Sequence, residues 1–178
     1  MPSPPAPAGS DDELRRAFAQ FATGVAVVSA RAAGGAPVAI TVNSFASVSL
    51  DPPLLLWSLG RAASDFAALH AARSFRVHVL AADQLEVAQR CAQRGDGKFA
   101  VGRWTQVPPA PPQLDGCVAW FDCTLRSRHD EGDHVVLVGR IEAHGARGGT
   151  PLIFHGRRYV TDLAEAPLPR SLRAAPWR

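Results

Sequence analysis

Residues 25–58 read VAVVSARAAGGAPVAITVNSFASVSLDPPLLLWS, and this stretch decides the fold. Four short β-prone runs, Val25 to Ala30, Val38 to Asn43, Ala46 to Leu50 and Leu54 to Ser58, are punctuated by Gly34-Gly35, by Ser44 and by Asp51-Pro52-Pro53. Four strands packed into so little chain imply antiparallel meanders, because a parallel connection needs a long crossover.

Upstream, Ser10 and Glu13 have the spacing of a capping box, and Leu14, Phe18 and Phe21 fall on one face. A short amphipathic helix is expected from Asp11 to Ala22, ended by Gly24. Downstream, Arg61 to Ala72 reads as a helix, Phe75 to Leu80 as an apolar strand and Gln84 to Arg94 as a further helix. A loop then carries Gly95-Asp96-Gly97-Lys98-Phe99. After the Pro-rich connector Val107 to Pro112, the segments Cys117 to Arg128 and Asp133 to His144 read as long strands joined by the turn His129 to Gly132. Ile153 to His155 and Tyr159 to Thr161 read as a closing hairpin around Gly156. These strands, with three inserted helices, predict a mainly β fold, an antiparallel Greek-key-like barrel decorated by helices. Strands and helices do not alternate regularly, which argues against an open parallel sheet.

At 178 residues the chain has the size of one domain, and 47% hydrophobic with 20% charged residues is enough to build a core. The Pro-rich ends, 1–10 and 164–178, are expected to be tails flanking a domain at 11–163. No apolar run approaches membrane-span length, and the N-terminus lacks the basic and apolar regions of a secretory signal, so a cytoplasmic location is expected. Cys91, Cys117 and Cys123 lack C-x-x-C spacing and read as reduced, structural thiols. The net charge of +3 comes from scattered arginines with a single lysine, Lys98, which argues against a nucleic-acid footprint.

There is no G-x-S-x-G elbow, H-E-x-x-H, P-loop or G-x-G-x-x-G in this chain. Six histidines, His70, His78, His129, His134, His144 and His155, are too dispersed for a metal site. The densest polar cluster within the apolar β region is Thr41 to Ser49, where hydroxyl and amide side chains alternate with apolar ones. One face of such a strand-turn-strand offers hydrogen-bond partners suited to a flat polar heterocycle, and equally suits a plain edge hairpin with a wet face.

Thr23 to Val28, Thr41 to Ser49 followed by Leu50-Asp51-Pro52-Pro53-Leu54, Phe75 to Ala81, Gly97-Lys98-Phe99 and Gly132-Asp133-His134 together resemble the flavin reductase family. These are small NAD(P)H:flavin oxidoreductases with an FMN-binding split barrel that serve two-component monooxygenases. The resemblance spans about Leu14 to Leu163.

It implies that Thr41, Val42, Asn43, Ser44, Phe45, Ala46, Ser47 and Ser49 wrap the isoalloxazine edge and ribityl chain. Ser58, Arg61 and Ser64 would lie near the flavin phosphate, where a helix starting at Arg61 would supply free amides and a positive dipole end. Lys98 and Phe99 resemble the family's D-K-F pair beside the flavin, although here Gly97 separates Asp96 from Lys98. Gly132-Asp133-His134 resembles its G-D-H turn, whose histidine lies over the flavin and seats the nicotinamide. Two further departures are Ala39-Ile40, where many relatives carry Gly and Met, and His78, where Asn is frequent.

The implied reaction is hydride transfer from C4 of NADH or NADPH to N5 of FMN or FAD, which requires stacked rings rather than a side-chain acid or base. Reduced flavin would pass to a partner monooxygenase, and the resemblance implies a homodimer. Arg147, Arg157 and Arg158 near the closing hairpin are candidates for dinucleotide phosphates. Two other classes stay open at this point: a non-reductase flavin-binding protein on the same barrel, and a basic polyanion-binding module favoured only by the pI of about 9.1.

Overall fold

Val27 and Val28 are neighbours on one strand, yet both have no exposed surface, because that strand carries core on each of its faces. In the computed structural model, which describes residues 9–162, the strand is β2 (Ala26–Arg31). Val28 points into a barrel interior with Val42, Leu55, Trp57, Leu59, Phe75, Val77 and Leu137. Val27 points outward, beneath helix α3 (Leu85–Ala92), with Val25, Ala39, Leu80, Val87, Leu114 and Leu152. Each such side chain contributes roughly 1.5–3 kcal/mol on burial, so the two clusters hold β2 from both sides.

Chain order runs α1 (Asp11–Phe18), β1 (Thr23–Gly24), β2, β3 (Pro37–Val42), β4 (Ala46–Leu50), β5 (Pro53–Gly60), α2 (Phe66–Ala71) and β6 (Ser74–Val79). A short 3₁₀ turn, Ala82–Gln84, leads into α3, followed by β7 (Trp104–Thr105), β8 (Gln113–Leu114), β9 (Ala119–Glu131), β10 (His134–Ala146), β11 (Ile153–His155) and β12 (Arg158–Val160). Seven strands form one antiparallel sheet in the order β3-β2-β6-β9-β10-β5-β4. Strands β3 and β4 are consecutive in the chain and lie at opposite edges of that sheet. The link of residues 43–45 brings the two edges together, and the sheet curls into a barrel split between them. Strands β1, β11 and β12 make a small second sheet, and β7 pairs with β8.

The expected mainly β barrel with three helices is the observed architecture, with local differences. The capping box on α1 forms, Ser10 accepting from the Glu13 amide while the Glu13 carboxylate accepts from Ser10 N–H. The helix nevertheless ends at Phe18, short of the expected Ala22, because Gln20 and Phe21 leave it through tight turns. The helix expected from Arg61 starts only at Phe66. The additional strands, β1, β7 and β8, are two-residue pairings, too short to show a period in sequence. Of the expected tails at 1–10 and 164–178, residues 1–8 and 164–178 lie outside the described residues, and Ser10 caps α1. Among the described residues, no helix is long and apolar enough to cross a membrane.

His78 shows how tightly the outer core is closed. It is fully buried on β6, its Nε2 accepts from the Leu114 amide at 3.1 Å, and its Nδ1–H donates to the Val27 carbonyl at 3.1 Å. A ring nitrogen that accepts from a backbone N–H carries no proton, so this imidazole is neutral. Burial lowers its pKa from 6.5 to about 4. The unfolded chain therefore takes up a proton in a pH range where the folded chain does not, and stability falls as pH drops from about 6.5 towards 4. The expected loss is about 3 kcal/mol across that window. Urea unfolding from pH 7 to pH 4 checks it: His78→Asn should flatten that part of the curve, and an unchanged slope would contradict the assignment.

Candidate active site

The split sets what the Thr41 to Ser49 segment can do. An outer strand of a sheet leaves alternate backbone amides and carbonyls unpaired on its open side. On β3 the Ala39 carbonyl faces away from β2, since it accepts from the Lys98 ammonium at 2.9 Å. Thr41, two residues on, shares that orientation. Strand β4 is paired with β5 alone, so its opposite edge is likewise open. The segment thus runs along both lips of the opening.

Its side chains divide into braces and free groups. Thr41 Oγ1 donates to the Ala88 carbonyl at 2.6 Å and ties β3 to α3. Val42 is buried in the barrel, and Phe45 packs on the same core with its ring 5.6 Å from that of Phe121. Ser44 Oγ accepts from the Ser58 amide at 2.9 Å and donates back to the Ser58 carbonyl at 3.3 Å, which pins the link to β5. Ser49 Oγ accepts from the Asp51 amide at 3.2 Å, next to a bulge between Ser47 and Ser49. Asn43, Ala46 and Ser47 are exposed, and the Asn43 side chain makes no hydrogen bond among the described residues.

A cleft of about 170 Å³ opens beside this segment, lined by Thr41, Val42, Asn43, Ala92, Phe154 and Tyr159. Phe154 and Tyr159 come from the closing hairpin and meet edge to face at 5.4 Å. A flat polar heterocycle needs apolar surface against its faces and donors and acceptors around its rim. The aromatic pair supplies the first; the open backbone edges and the unpartnered Asn43 amide supply the second. The residues present therefore fit a flavin ring. Phe154, Tyr159 and Ala92 are absent from the sequence-derived site. The one signal for Phe154 and Tyr159 is the aromatic spacing around Gly156, and Ala92 has none.

Lys98 is nearly fully buried, and its ammonium bridges the Ala39 carbonyl and Asp65, the latter at 2.5 Å. Two of its three N–H donors are thereby used, one remaining. Phe99 packs into the outer core edge to face on Trp104 at 4.8 Å. Asp65 was not foreseen, since a lone acid between two alanine-rich runs carries no motif.

The sequence expectation that Arg61 opens a helix is corrected. After the Gly60–His134 pair, the Arg61 amide donates to the Asp133 carbonyl, and turns at Ala63 and Phe66 follow before α2 begins. Asp65, the residue before α2, gives its carboxylate to Lys98 and makes no side-chain cap. A helix of six residues offers no dipole site for a phosphate. Arg61 instead pairs with Asp130 and donates to the Gly132 carbonyl at 3.2 Å, and Ser64 is exposed in the turn.

His134 begins β10 opposite Gly60, two register steps from the Ser58–Val136 pair. Its Nδ1–H donates to the Asp133 carboxylate at 2.7 Å, a bond that holds the exposed Asp133 below the usual carboxylate range. Nε2 lies over the neighbouring strand, where a Cβ on Gly60 would come within 3.3 Å, so glycine lets the ring lie flat there. The side chain is 48% exposed. Ser44, Ser58, Arg61 and His134 thus gather at one end of the opening, while Lys98 holds the β3 lip.

An antiparallel barrel opened between two sequential strands, with polar backbone along both lips, defines the class of flavin-binding split barrels. The model for the flavin reductase like domain matches residues 18–161. The FMN reductase (NADH) SmoA of Agrobacterium fabrum is 42% identical over 143 residues, covering 80% of this chain and 81% of that protein. The reductase component of the flavin-dependent trigonelline monooxygenase of Acinetobacter baylyi is 40% identical over 149 residues, covering 84% of this chain and 48% of that one. The chain thus spans about half the length of that relative. Among solved structures, the NADH:FAD oxidoreductase SgcE6 of Streptomyces globisporus, in complex with NAD and FAD fragments, superimposes with a TM-score of 0.80 at 32% identity, over 88% of this chain and 94% of that one. The chain belongs to the flavin reductase family.

The Lys98–Asp65 bridge yields a prediction. Removing Lys98 strands the partly exposed Asp65 carboxylate, which costs about 1–3 kcal/mol. Lys98→Ala should lower the unfolding free energy by about that amount, and the double replacement Lys98→Met with Asp65→Leu should recover much of it. Chemical denaturation checks both, and a loss under about 1 kcal/mol in Lys98→Ala would mean that the pair behaves as a surface ion pair.

Proposed function

We propose that this protein is an NAD(P)H:flavin oxidoreductase that reduces FMN or FAD and passes the reduced flavin to a partner monooxygenase. The observation that carries the reading is the pair of open lips along Thr41 to Ser49, facing an aromatic-lined cleft. The names of the relatives, an NADH-dependent FMN reductase and a monooxygenase reductase component, support it.

When bound, the flavin supplies the hydride-accepting ring. The chain's contribution is binding and orientation. Backbone donors of residues 41–49 would hold the ring edge and favour negative charge there. Lys98 fixes the β3 lip and keeps one N–H for the same rim, with Phe99 packed behind it. Ser58, Arg61 and Ser64 line the turn where the flavin phosphate is proposed to lie, held by a guanidinium and hydroxyls rather than by a helix end. His134, fixed by Asp133 and lying over Gly60, presents a half-exposed ring edge for the nicotinamide. No acid–base dyad is needed, because alignment of two stacked rings lowers the barrier.

Residues 11–163 form the working domain in this proposal, and it acts in the cytoplasm, in keeping with three buried free thiols. The chain works as a homodimer, a reading supported by the exposed apolar side chains of Leu14 on α1 and of Val48 and Leu50 on β4. Sedimentation analysis should give twice the monomer mass, and Leu50→Lys should shift the protein towards monomer.

Anaerobic mixing with NADH or NADPH and excess FMN or FAD tests the reaction. Bleaching of many flavins per protein is expected; bound yellow flavin that no nicotinamide reduces would overturn the reductase reading while leaving flavin binding intact. His134→Ala should raise KM for the nicotinamide several-fold and leave that for flavin nearly unchanged. Equal effects on both substrates would remove His134 from the nicotinamide side.

A further inference from the structure

Outside the flavin cleft lies a second one of about 360 Å³, between α1 and the turn of the closing hairpin. Arg15, Phe18, Phe21, Asn43, Phe154 and Arg157 line it, and no acid lies among its lining residues. Asn43 and Phe154 line both clefts, so the two lie side by side. Among the described residues, the Arg15 guanidinium has no hydrogen-bond or ion-pair partner.

Arg157 is held in an unusual way. Gly156 and Arg157 are the central residues of the two-residue turn between β11 and β12, with φ of 57° and 64°. Both positions of such a turn favour glycine, asparagine or aspartate. Arg157 is the one non-glycine with positive φ among the described residues, and a long side chain there carries a cost in backbone energy. Its single partner is Asp12 at 3.2 Å, an exposed carboxylate already paired with Arg16. An exposed, shared ion pair is too weak to account for an arginine at this position. The hairpin is fixed in turn by the Gly156 amide, which donates to the Ala19 carbonyl at 2.8 Å, so Arg157 sits opposite α1 on a braced frame.

We propose that Arg15 and Arg157 grip the diphosphate of an adenine dinucleotide that reaches out of the flavin cleft, with Phe18 and Phe21 as stacking surfaces for its base. Guanidinium forks match phosphate oxygens, and the two phenylalanines are 70% and 78% exposed. The proposal rests on the flavin reductase reading and assigns the part of the ligand that the reading leaves unplaced. Two molecules carry this chemistry; because the flavin phosphate is proposed at the turn of Ser58, Arg61 and Ser64, the expected occupant is the nicotinamide dinucleotide, and FAD is the other outcome the test distinguishes.

Steady-state kinetics with NADH or reduced nicotinamide mononucleotide, each against FAD or FMN, separates the two. Arg157→Gly suits the test because it removes the guanidinium and installs a residue that the turn favours, so its Tm should not fall. In Arg157→Gly and Arg15→Gln, KM for the dinucleotide should rise about tenfold, with the matching mononucleotide changed less than twofold. A rise for NADH but not its mononucleotide assigns the subsite to the reductant; a rise for FAD but not FMN assigns it to the flavin. Asp12→Asn, which releases Arg157, should lower the same KM. Calorimetric titration with ADP gives a readout independent of turnover: wild type binds, and the double variant binds at least about tenfold more weakly. Equal changes for dinucleotide and mononucleotide, or ADP binding indifferent to both arginines, would overturn the proposal. Loss of turnover with FMN and the reduced mononucleotide in wild type would instead count against the reductase reading, and the ADP titration would still decide the subsite.

Discussion

The structure depends on the three-residue link between β3 and β4. Asn43, Ser44 and Phe45 connect the two strands that end opposite sides of a seven-stranded sheet. A connection this short brings those edges together, and they stay unpaired with each other, β3 hydrogen-bonding only to β2 and β4 only to β5. Unpaired edges are ordinarily a liability that invites aggregation. Here the β3 edge is managed at one point by Lys98, whose ammonium takes the Ala39 carbonyl and is balanced by Asp65. Beyond that point the edge stays open, and the opening is where the functional groups gather.

The supports around the split are mostly braces. Ser44 clamps Ser58, Thr41 ties β3 to α3, and Asp133 orients His134. Each spends a side chain on geometry, so the lips keep their spacing when a planar ligand enters. Hydride transfer between two bound rings demands little beyond such alignment, and the absence of a nucleophile or dyad in the sequence agrees with that chemistry. The buried thiols fit the same picture, with Cys91 pushed up to about 11 and Cys123 to about 12 by burial, so neither is a nucleophile at neutral pH.

The strands were legible because their apolar runs are interrupted by glycine, proline and aspartate, and the capping box at Ser10 marked α1 correctly. Helix lengths were overdrawn for a local reason: Arg61 to Ala72 is rich in alanine, which favours a helix, while tertiary bonds from Arg61 to Asp133 and from Asp65 to Lys98 hold its first half in turns. The resemblance offers both backbone amides and hydroxyls of Thr41 to Ser49 to the ligand; the Thr41 and Ser44 hydroxyls brace the frame, which leaves the backbone and Asn43 for that role. Phe154 and Tyr159 reach the site by the return of the chain from over a hundred residues away. Spacing along the chain does not record such a return; Arg157 stands out in the sequence beside the closing hairpin, and the structure adds its positive φ.

The central claim, that the lips of the β3–β4 split hold the flavin ring, is most directly tested by amide hydrogen exchange with and without FMN. Backbone amides that hydrogen-bond a ligand exchange more slowly on binding. The account predicts slowing concentrated in residues 41–49, with a smaller effect at 153–160, and little change in β9 beyond its turn. Protection elsewhere, with residues 41–49 exchanging as fast in the presence of FMN as in its absence, would contradict it.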